Sequence, residues 1–207
     1  MVVFKYYKIK EAAYLSHLDT LRAIIRTIRR AEIPVSYSKG FNPHMNLYMT
    51  PPNPLGIPSE CEYCTADTET DAANFLKLYN SFCLSGLKCI DAYNTVKNPN
   101  LAANITSAKY YINSGEREIM QKIKSGEPII AEINKKNTVI KKDIREYIID
   151  VTTVSGAVYV WLNFGNKGNL RADVFLKAVG LPENCQIIKK QMFCGDITAD
   201  DYIKQFM

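Results

Sequence analysis

The chain has 207 residues, of which 47% are hydrophobic and 23% charged, an ordinary globular composition that allows a sizeable core. Its longest apolar runs are strand-sized, so we predict neither a membrane span of about 20 residues nor an apolar signal segment, and we expect a cytoplasmic protein. The net charge of +5 is uneven: residues 1–45 hold eight lysines and arginines against three acidic residues, and the remainder is neutral. Such a concentrated basic region favours an anionic partner.

The first half predicts the element order β-α-β-β-α-β. Ser16 and Asp19 have the spacing of a capping box, which opens a helix that ends before Pro34. The predicted buried face of this helix consists of Leu18, Leu21, Ile24, Ile25 and Ile28. The other predicted elements are strands at 2–9, 46–50, 60–68 and 86–96, and a second helix at 71–83.

The pattern repeats after a predicted linker at residues 97–106. The second half predicts strands at 107–113 and 127–133, a helix at 115–124, an insertion near 134–146, a hairpin that turns at Ser155-Gly156, a helix that starts at Asn169 or Arg171 and ends at Val179, and a strand at 186–193. We therefore predict an α+β protein of two tandem ferredoxin-like (βαββαβ) units with antiparallel sheets. The predicted domains are residues 1–97, which carry the basic helix, and residues 105–207.

Six cysteines in a chain of this length are expected to be reduced thiols. Cys61 and Cys64 form a CxxC pair, but neither a second pair nor histidines at ligand spacing follow it. Because side chains alternate along a strand, these two thiols are predicted to face opposite sides of the sheet. We therefore predict no metal site and no cofactor.

The first helix carries four arginines within a sector of about 100° at helical spacing. These are Arg22, Arg26, Arg29 and Arg30. They form either a solvated face, in which Asp19 caps the helix and pairs with Arg22, or a phosphate-binding ridge.

The stretch YSKGFNPHM (residues 37–45) is the second candidate region. Gly40 is expected to supply a positive φ, and Asn42 with Pro43 a turn. Tyr37, Ser38 and Lys39 are candidates for contacting an anion, with Asn42 as a further ligand candidate. Phe41 either fills the core or stacks on a base.

Two histidines and one further arginine complete the candidates. His17 in the first turn of the helix and His44 in the loop are each either structural or, if they meet near Asp19, able to shuttle protons or bind a metal. Arg171 opens the last predicted helix after GNKGN, a weak phosphate-binding signal.

The run YLSHLDTLRAIIRTIRRAEIPVSYSKGFNPHMNLYMTPPNPLGIPSECEY resembles the N-terminal signature of the radical-SAM-associated family of bacterial proteins, a domain of unknown function. The later stretches KKDIREYI and GNLRADVFLKAVGL are similar to the weaker C-terminal motifs of that family. The resemblance implies a cobalamin-binding radical SAM protein, encoded alongside or fused, as partner, and it implies no established activity. The chain departs from the family at Cys61, Cys64 and Met45, where a small residue, an aliphatic residue and a proline are usual. It also lacks a C-x3-C-x2-C cluster motif and is therefore not itself a radical SAM enzyme.

The preferred hypothesis is a non-catalytic accessory protein that binds RNA, or another phosphate-bearing substrate, through its basic N-terminal surface. One alternative is a metal-independent RNA-processing endonuclease that uses His17, His44, Tyr37 and Lys39. Another alternative is a pure protein-interaction module for the radical SAM partner.

Overall fold

The computed structural model describes residues 1–135, 138–165, 168–182 and 184–207, without the side chains of residues 134 and 135. The first half contains β1 (Val2–Lys8), α1 (His17–Arg30), β2 (Leu47–Met49), β3 (Ser59–Ala66), α2 (Ala72–Phe82) and β4 (Cys89–Asn94). The second half contains α3 (Leu101–Asn104), β5 (Ser107–Ile112), α4 (Glu116–Lys124), β6 (Ile130–Lys135), β7 (Thr138–Asp143), β8 (Ile148–Val154), β9 (Ala157–Asn163), α5 (Ala172–Ala178), β10 (Ile187–Cys194), β11 (Ile197–Thr198) and α6 (Ala199–Lys204). Three short 3₁₀ helices lie at Lys10–Tyr14, Ser85–Leu87 and Arg145–Tyr147.

One sheet runs through both halves of the chain. Its strand order is β4-β1-β3-β10-β5-β9-β8, with β2 added on β3 and β11 on β10. The paired strands are antiparallel except for β3 and β10, which meet in parallel where Ser59 lies beside Lys189. The prediction of a mixed α+β fold with a mostly antiparallel sheet is confirmed.

The capping box of α1 forms as the sequence predicts. The Ser16 hydroxyl accepts a hydrogen bond from the Asp19 backbone N–H at 3.1 Å and donates one to the Asp19 carboxylate at 2.7 Å. The helix ends before Pro34, because Glu32 adopts a positive φ of 53°. None of the helices in the described ranges combines the length and the apolar character that a bilayer crossing needs.

The buried face of α1 differs from the prediction at Leu18, and Leu21 and Ile25 are half-buried. Leu18 is 60% exposed, whereas Ile24 and Ile28 are fully buried. Thr20 and Thr27 are buried in its place, and their hydroxyls donate to backbone carbonyls one turn earlier, at 2.8 and 3.0 Å. A threonine that satisfies its hydroxyl in this way can be buried, which an apolar count misses.

Two cores lie on opposite faces of the first-half strands. One core packs α1 and α2 on the face that carries Phe4, Tyr6 and Cys64. The other core joins the opposite face, with Val3 and Cys61, to the interior of the second half. Because this second core contains residues from both halves, the two halves share one interior.

Three segments depart from the predicted element pattern. The predicted linker contains α3, whose Leu101 is buried. The strand predicted at 127–133 begins at Ile130, and it pairs with β7 in a separate hairpin rather than in the main sheet. The sequence patterns predict no helix or strand after residue 193, whereas the structure has β11 and α6 there. The Asp200 carboxylate of α6 accepts hydrogen bonds from Lys5, Tyr63 and Tyr93 at 2.7–3.0 Å and so fixes the C-terminal segment to the first half.

Candidate functional site

A buried ion pair lies at the seam between the two halves. The Nζ of Lys189 on β10 is 2.6 Å from the Oε1 of Glu62 on β3, and these side chains are 0% and 5% exposed. The contact is an ion pair by distance, and Oε1 accepts no hydrogen bond from the residues that the structure describes. The Lys189 ammonium also lies 4.5 Å from the ring centre of Phe164, a cation–π contact.

A second buried lysine lies close to Glu62. Lys8 ends β1, is 5% exposed, and donates from its Nζ to the Leu15 carbonyl at 2.7 Å. Burial lowers the pKa of Lys8, while the Glu62 carboxylate opposes this shift and Lys189 adds to it. Lys8 and Glu62 line a small inner cavity together with His17 and Asn53.

The inner cavity adjoins an open cleft of about 360 Å³ between the two halves. His17, Pro52 and Asn53 line both spaces. The cleft walls come from the start of α1, the proline-rich loop before β3, strand β5 and the segment before α5: Ser16, His17, Pro52, Asn53, Pro54, Leu55, Tyr110, Phe164, Asn169 and Arg171. Its volume falls within the range typical of small-molecule sites.

Two buried polar atoms beside this cleft have no hydrogen-bond partner in the described part of the chain. They are the Oδ1 of Asn53 and the hydroxyl of Tyr110, on residues that are 7% and 0% exposed. A buried polar group without a partner costs about 1–3 kcal/mol, so such atoms at a cleft are typical of ligand contacts.

Burial sets the protonation of the ring groups at the cleft. The pKa of His17 is lowered, first by burial and then by Lys8, while Glu62 acts in the opposite direction. The pKa of Tyr110 is raised by burial, with the negative charge of Glu62 as a smaller cause. Near neutral pH the cleft therefore presents an uncharged imidazole and an uncharged phenol.

A wider cleft of about 670 Å³ lies on the other side of Leu55 and Gly56. Among the described residues that line it, Asp173 is the acidic one, and its carboxylate is already paired with Arg171. The smaller cleft holds the unpartnered polar atoms and adjoins the buried charges, and it is therefore the better candidate site.

The four arginines of α1 all lie on the exposed face of the helix. Arg22 pairs with Asp19 at 2.9 Å, the solvated pairing that the sequence offered as one alternative. The hydrogen bonds from Ser16 and Arg22 lower the pKa of Asp19. In the part of the chain that the structure describes, the side chains of Arg29 and Arg30 form no hydrogen bond or ion pair, and both residues are exposed.

The loop at residues 37–45 is closed by its own hydrogen bonds. The Ser38 hydroxyl lies 2.9 Å from His44 Nδ1 and accepts from the His44 backbone N–H at 3.1 Å, and the Ser38 backbone N–H donates to the His44 carbonyl. Tyr37 and Met45 form a β-bridge at its base. Gly40 has a φ of +150°, in the region predicted for it.

The loop side chains point outward. Lys39, Asn42 and His44 are exposed, and Tyr37 is 47% exposed. Phe41 is 101% exposed, so the prediction that it fills the core is wrong. The loop is short and is closed by polar contacts, which leaves its aromatic tip no apolar surface to pack on.

His17 and Arg171 both line the cleft, whereas His44 forms its hydrogen bonds with Ser38 of its own loop. Arg171 is the cap residue before α5 and makes a bidentate pair with Asp173 at 3.0 and 2.7 Å. The helix behind it has only seven residues, too short to add an anion-binding terminus of its own. Of GNKGN, residues 166 and 167 lie outside the described residues.

The CxxC pair is split between the two cores, as strand alternation predicts. Cys61 belongs to the core shared by both halves, and Cys64 packs under α1 and α2. Burial raises the pKa of Cys61 to about 12 and that of Cys64 further still. Within the described ranges, no group of three or more His, Cys, Asp or Glu side chains is arranged to hold a metal ion.

Sequence reasoning missed five residues of the seam and the cleft: Lys8, Asn53, Glu62, Tyr110 and Lys189. They lie in strands or in a proline-rich loop, whereas the residues predicted from the sequence lie mainly on one helix face and in one loop. One signal was available, since Glu62 and Lys189 are charged residues within otherwise buried strand stretches. Their partnership requires the pairing of β3 with β10, which no local pattern specifies.

The sequence profile of a bacterial protein family matches residues 2–172 of the chain. The family is described as an uncharacterized protein conserved in bacteria (DUF2344). No curated protein matches the chain. The match confirms the predicted membership of a bacterial family of unknown function, and the association with a radical SAM enzyme stays a prediction.

Removing one partner of the buried pair should strongly destabilise the fold. Lys189→Met leaves Glu62 buried without its cation, and we expect a loss of roughly 3–5 kcal/mol in the free energy of unfolding. The adjacent Lys190→Met is the matched control, because its ion pair with Glu60 is about one-third exposed and should contribute about 0–1 kcal/mol. Urea unfolding measures both, and the double variant Lys189→Met/Glu62→Leu should recover most of the loss. Equal effects of the two lysine variants would contradict the assignment.

The lowered pKa of His17 provides a pH test of its burial in the fold. Because the folded pKa of His17 is lowered, the unfolded chain binds a proton first as pH falls below about 6.5, and stability is lost below that pH. We expect His17→Gln to flatten the pH dependence of the melting temperature between about pH 6.5 and 5. An unchanged slope in His17→Gln would show that His17 is not protected from protonation in the fold.

Proposed function

The chain belongs to this bacterial family of uncharacterized proteins, and we propose that it is a non-catalytic cytoplasmic accessory protein that binds RNA for a cobalamin-binding radical SAM partner. The binding surface consists of the exposed arginines of α1 and of the loop at residues 37–45. The observation that carries the proposal is the exposure of all four arginines, together with the absence of any partner for Arg29 and Arg30 among the described residues. Guanidinium groups without a protein partner are available to phosphate oxygens.

In this proposal the loop, which follows α1 along the chain, contributes an aromatic ring to the RNA-binding surface. Phe41 is fully exposed beside Lys39, and the contact of Ser38 with His44 holds the loop closed beneath it. Burying an exposed phenylalanine against a base is favourable, since base–aromatic stacking is worth about 1–3 kcal/mol per base. The ring therefore supports a single-stranded RNA over a simple anion as ligand.

The strand orders support two βαββαβ units joined along one edge. The first half has the order β4-β1-β3-β2, and the second half has the corresponding order β10-β5-β9-β8 with the β6–β7 hairpin inserted. Tandem ferredoxin-like units often bind RNA, which is an argument by analogy of fold and is secondary to the charged surface. The six free cysteines support a reducing compartment.

RNA binding should respond to salt and to the arginines. We expect a single-stranded RNA to lose affinity as salt rises, and the variant Arg26→Ala/Arg29→Ala/Arg30→Ala to reduce the log–log salt slope by about 2, at about 0.7 per lost phosphate contact. Filter binding from low to moderate salt measures the slope. Arg117→Ala/Lys122→Ala, on the exposed side of α4, is the control that should behave as wild type.

Two further arms separate the alternatives. Phe41→Ala should weaken RNA binding and Phe41→Tyr should preserve it, because tyrosine keeps the ring.

Cleavage of the RNA in EDTA would replace the non-catalytic proposal with the endonuclease. Salt-independent, near-zero RNA affinity would leave the arginines as a protein-docking surface. In that case co-purification with the radical SAM partner should survive nuclease but fail on charge reversal at Arg26 and Arg29.

A further inference from the structure

The cleft beside His17 lies apart from the RNA surface proposed above. At 100° per residue, His17 lies on the opposite side of α1 from Arg26. His17 therefore faces the interior, where the cleft reaches Tyr110 and Phe164 of the second half. Any ligand of this cleft occupies a second site.

The unpartnered oxygen of Asn53 defines what the ligand must supply. The Asn53 Nδ2 donates to the Ile57 carbonyl at 2.7 Å, and this acceptor fixes the orientation of the amide. The buried Oδ1 is therefore an acceptor and requires an N–H or O–H donor from the ligand. A bare phosphate or carboxylate would place oxygen against oxygen at this position.

The other inner groups accept either polarity. The Tyr110 hydroxyl has no partner within the described residues and can donate or accept, and the neutral His17 ring has one nitrogen of each kind. The Ser16 hydroxyl is already used by Asp19. A ring edge that alternates donors and acceptors fits these groups.

The walls favour a flat ring. Phe164, Pro52, Pro54 and Leu55 supply apolar surface on the sides of the cleft. Aromatic and proline surfaces pack well against planar heterocycles, whose faces are apolar and whose edges are polar.

The mouth of the cleft carries a guanidinium with free donors, and the charge of this group is paired with the Asp173 carboxylate. Arg171 commits Nε and Nη2 to Asp173, which leaves the Nη1 donors at an exposed rim. Behind the cleft, Lys8 and Lys189 outnumber Glu62 by one charge. A ligand therefore fits this cleft if it places a polar ring at the inner end and a negatively charged group at the mouth beside Arg171.

We propose that this cleft binds a nucleotide, with an amino-bearing base directed to Asn53 and Tyr110 and the phosphate at Arg171. The amino group donates to Asn53 Oδ1, the base lies between the apolar walls, and the ring edge meets His17. The source is either a free nucleotide or an unstacked base of an RNA chain, and the chemistry of recognition is the same for both.

Tyr110→Phe and Tyr79→Phe form a matched pair of test variants. Both phenols are buried, and neither hydroxyl has a partner among the described residues, but Tyr79 lies on the buried face of α2 and does not line the cleft. Removing either hydroxyl should leave the melting temperature unchanged or raised, because no hydrogen bond is lost. Tyr110→Phe should weaken AMP binding about tenfold or more, and Tyr79→Phe should leave it unchanged.

The titration uses AMP and purine riboside 5′-monophosphate, which lacks the amino group, with the full chain in a calorimeter. We expect AMP to bind at least about tenfold more tightly, because the analogue leaves Asn53 Oδ1 unpaired. Leu55→Trp, at a position that is 64% exposed, should block the cleft without disturbing the core and should abolish binding. The proposal would be overturned by equal affinity for the two nucleotides, by unchanged AMP affinity in Tyr110→Phe, or by the absence of AMP binding at millimolar concentration.

The variant Arg26→Ala/Arg29→Ala/Arg30→Ala separates this site from the RNA surface. AMP binding that persists in this variant supports a second site even if RNA binding is lost or never existed. AMP binding that disappears with the arginines would overturn the cleft as the site. Displacement of AMP from the wild-type chain by single-stranded RNA would identify an RNA base as the source, and its retention would identify the free nucleotide.

Discussion

The ion pair between Glu62 and Lys189 constrains the whole arrangement of the chain. Each charge carries a desolvation cost of several kcal/mol, and the cost of burying Lys189 is offset by Glu62, which comes from the other half of the protein. Strand β10 must therefore lie beside β3, in the parallel contact where Ser59 meets Lys189. The carboxylate of Asp200 strengthens this arrangement, because it holds the following helix against Lys5, Tyr63 and Tyr93. Strand β10 and helix α6, from the C-terminal end of the chain, are therefore bonded to side chains of the first half.

Helix α1 serves two surfaces with opposite chemistry. Its outer face holds exposed arginines, and its first turn places His17 over a cleft between the halves. The capping contacts of Ser16 with Asp19 define where this helix begins. The same contacts therefore position both the basic surface and the cleft.

Local features were predictable from the sequence, and contacts between distant parts of the chain were not. The cap at Ser16, the turn at Ser155-Gly156 and the opposed thiols of Cys61 and Cys64 depend on residues near each other in the chain. The burial of Thr20 depends on the hydrogen bond from its hydroxyl to the Ser16 carbonyl. The exposure of Phe41 depends on whether the folded loop offers apolar surface for the ring to pack on. The cleft also depends on strands brought together by β10, so its residues could not be grouped from sequence patterns.

The central claim is that a shared core and a buried charged seam make the two halves one cooperative unit. Scanning calorimetry of the full chain tests this claim most directly. The account predicts a single transition whose calorimetric enthalpy equals the van't Hoff enthalpy. Two separate transitions, or a calorimetric enthalpy of about twice the van't Hoff value, would contradict it by showing that the halves unfold independently.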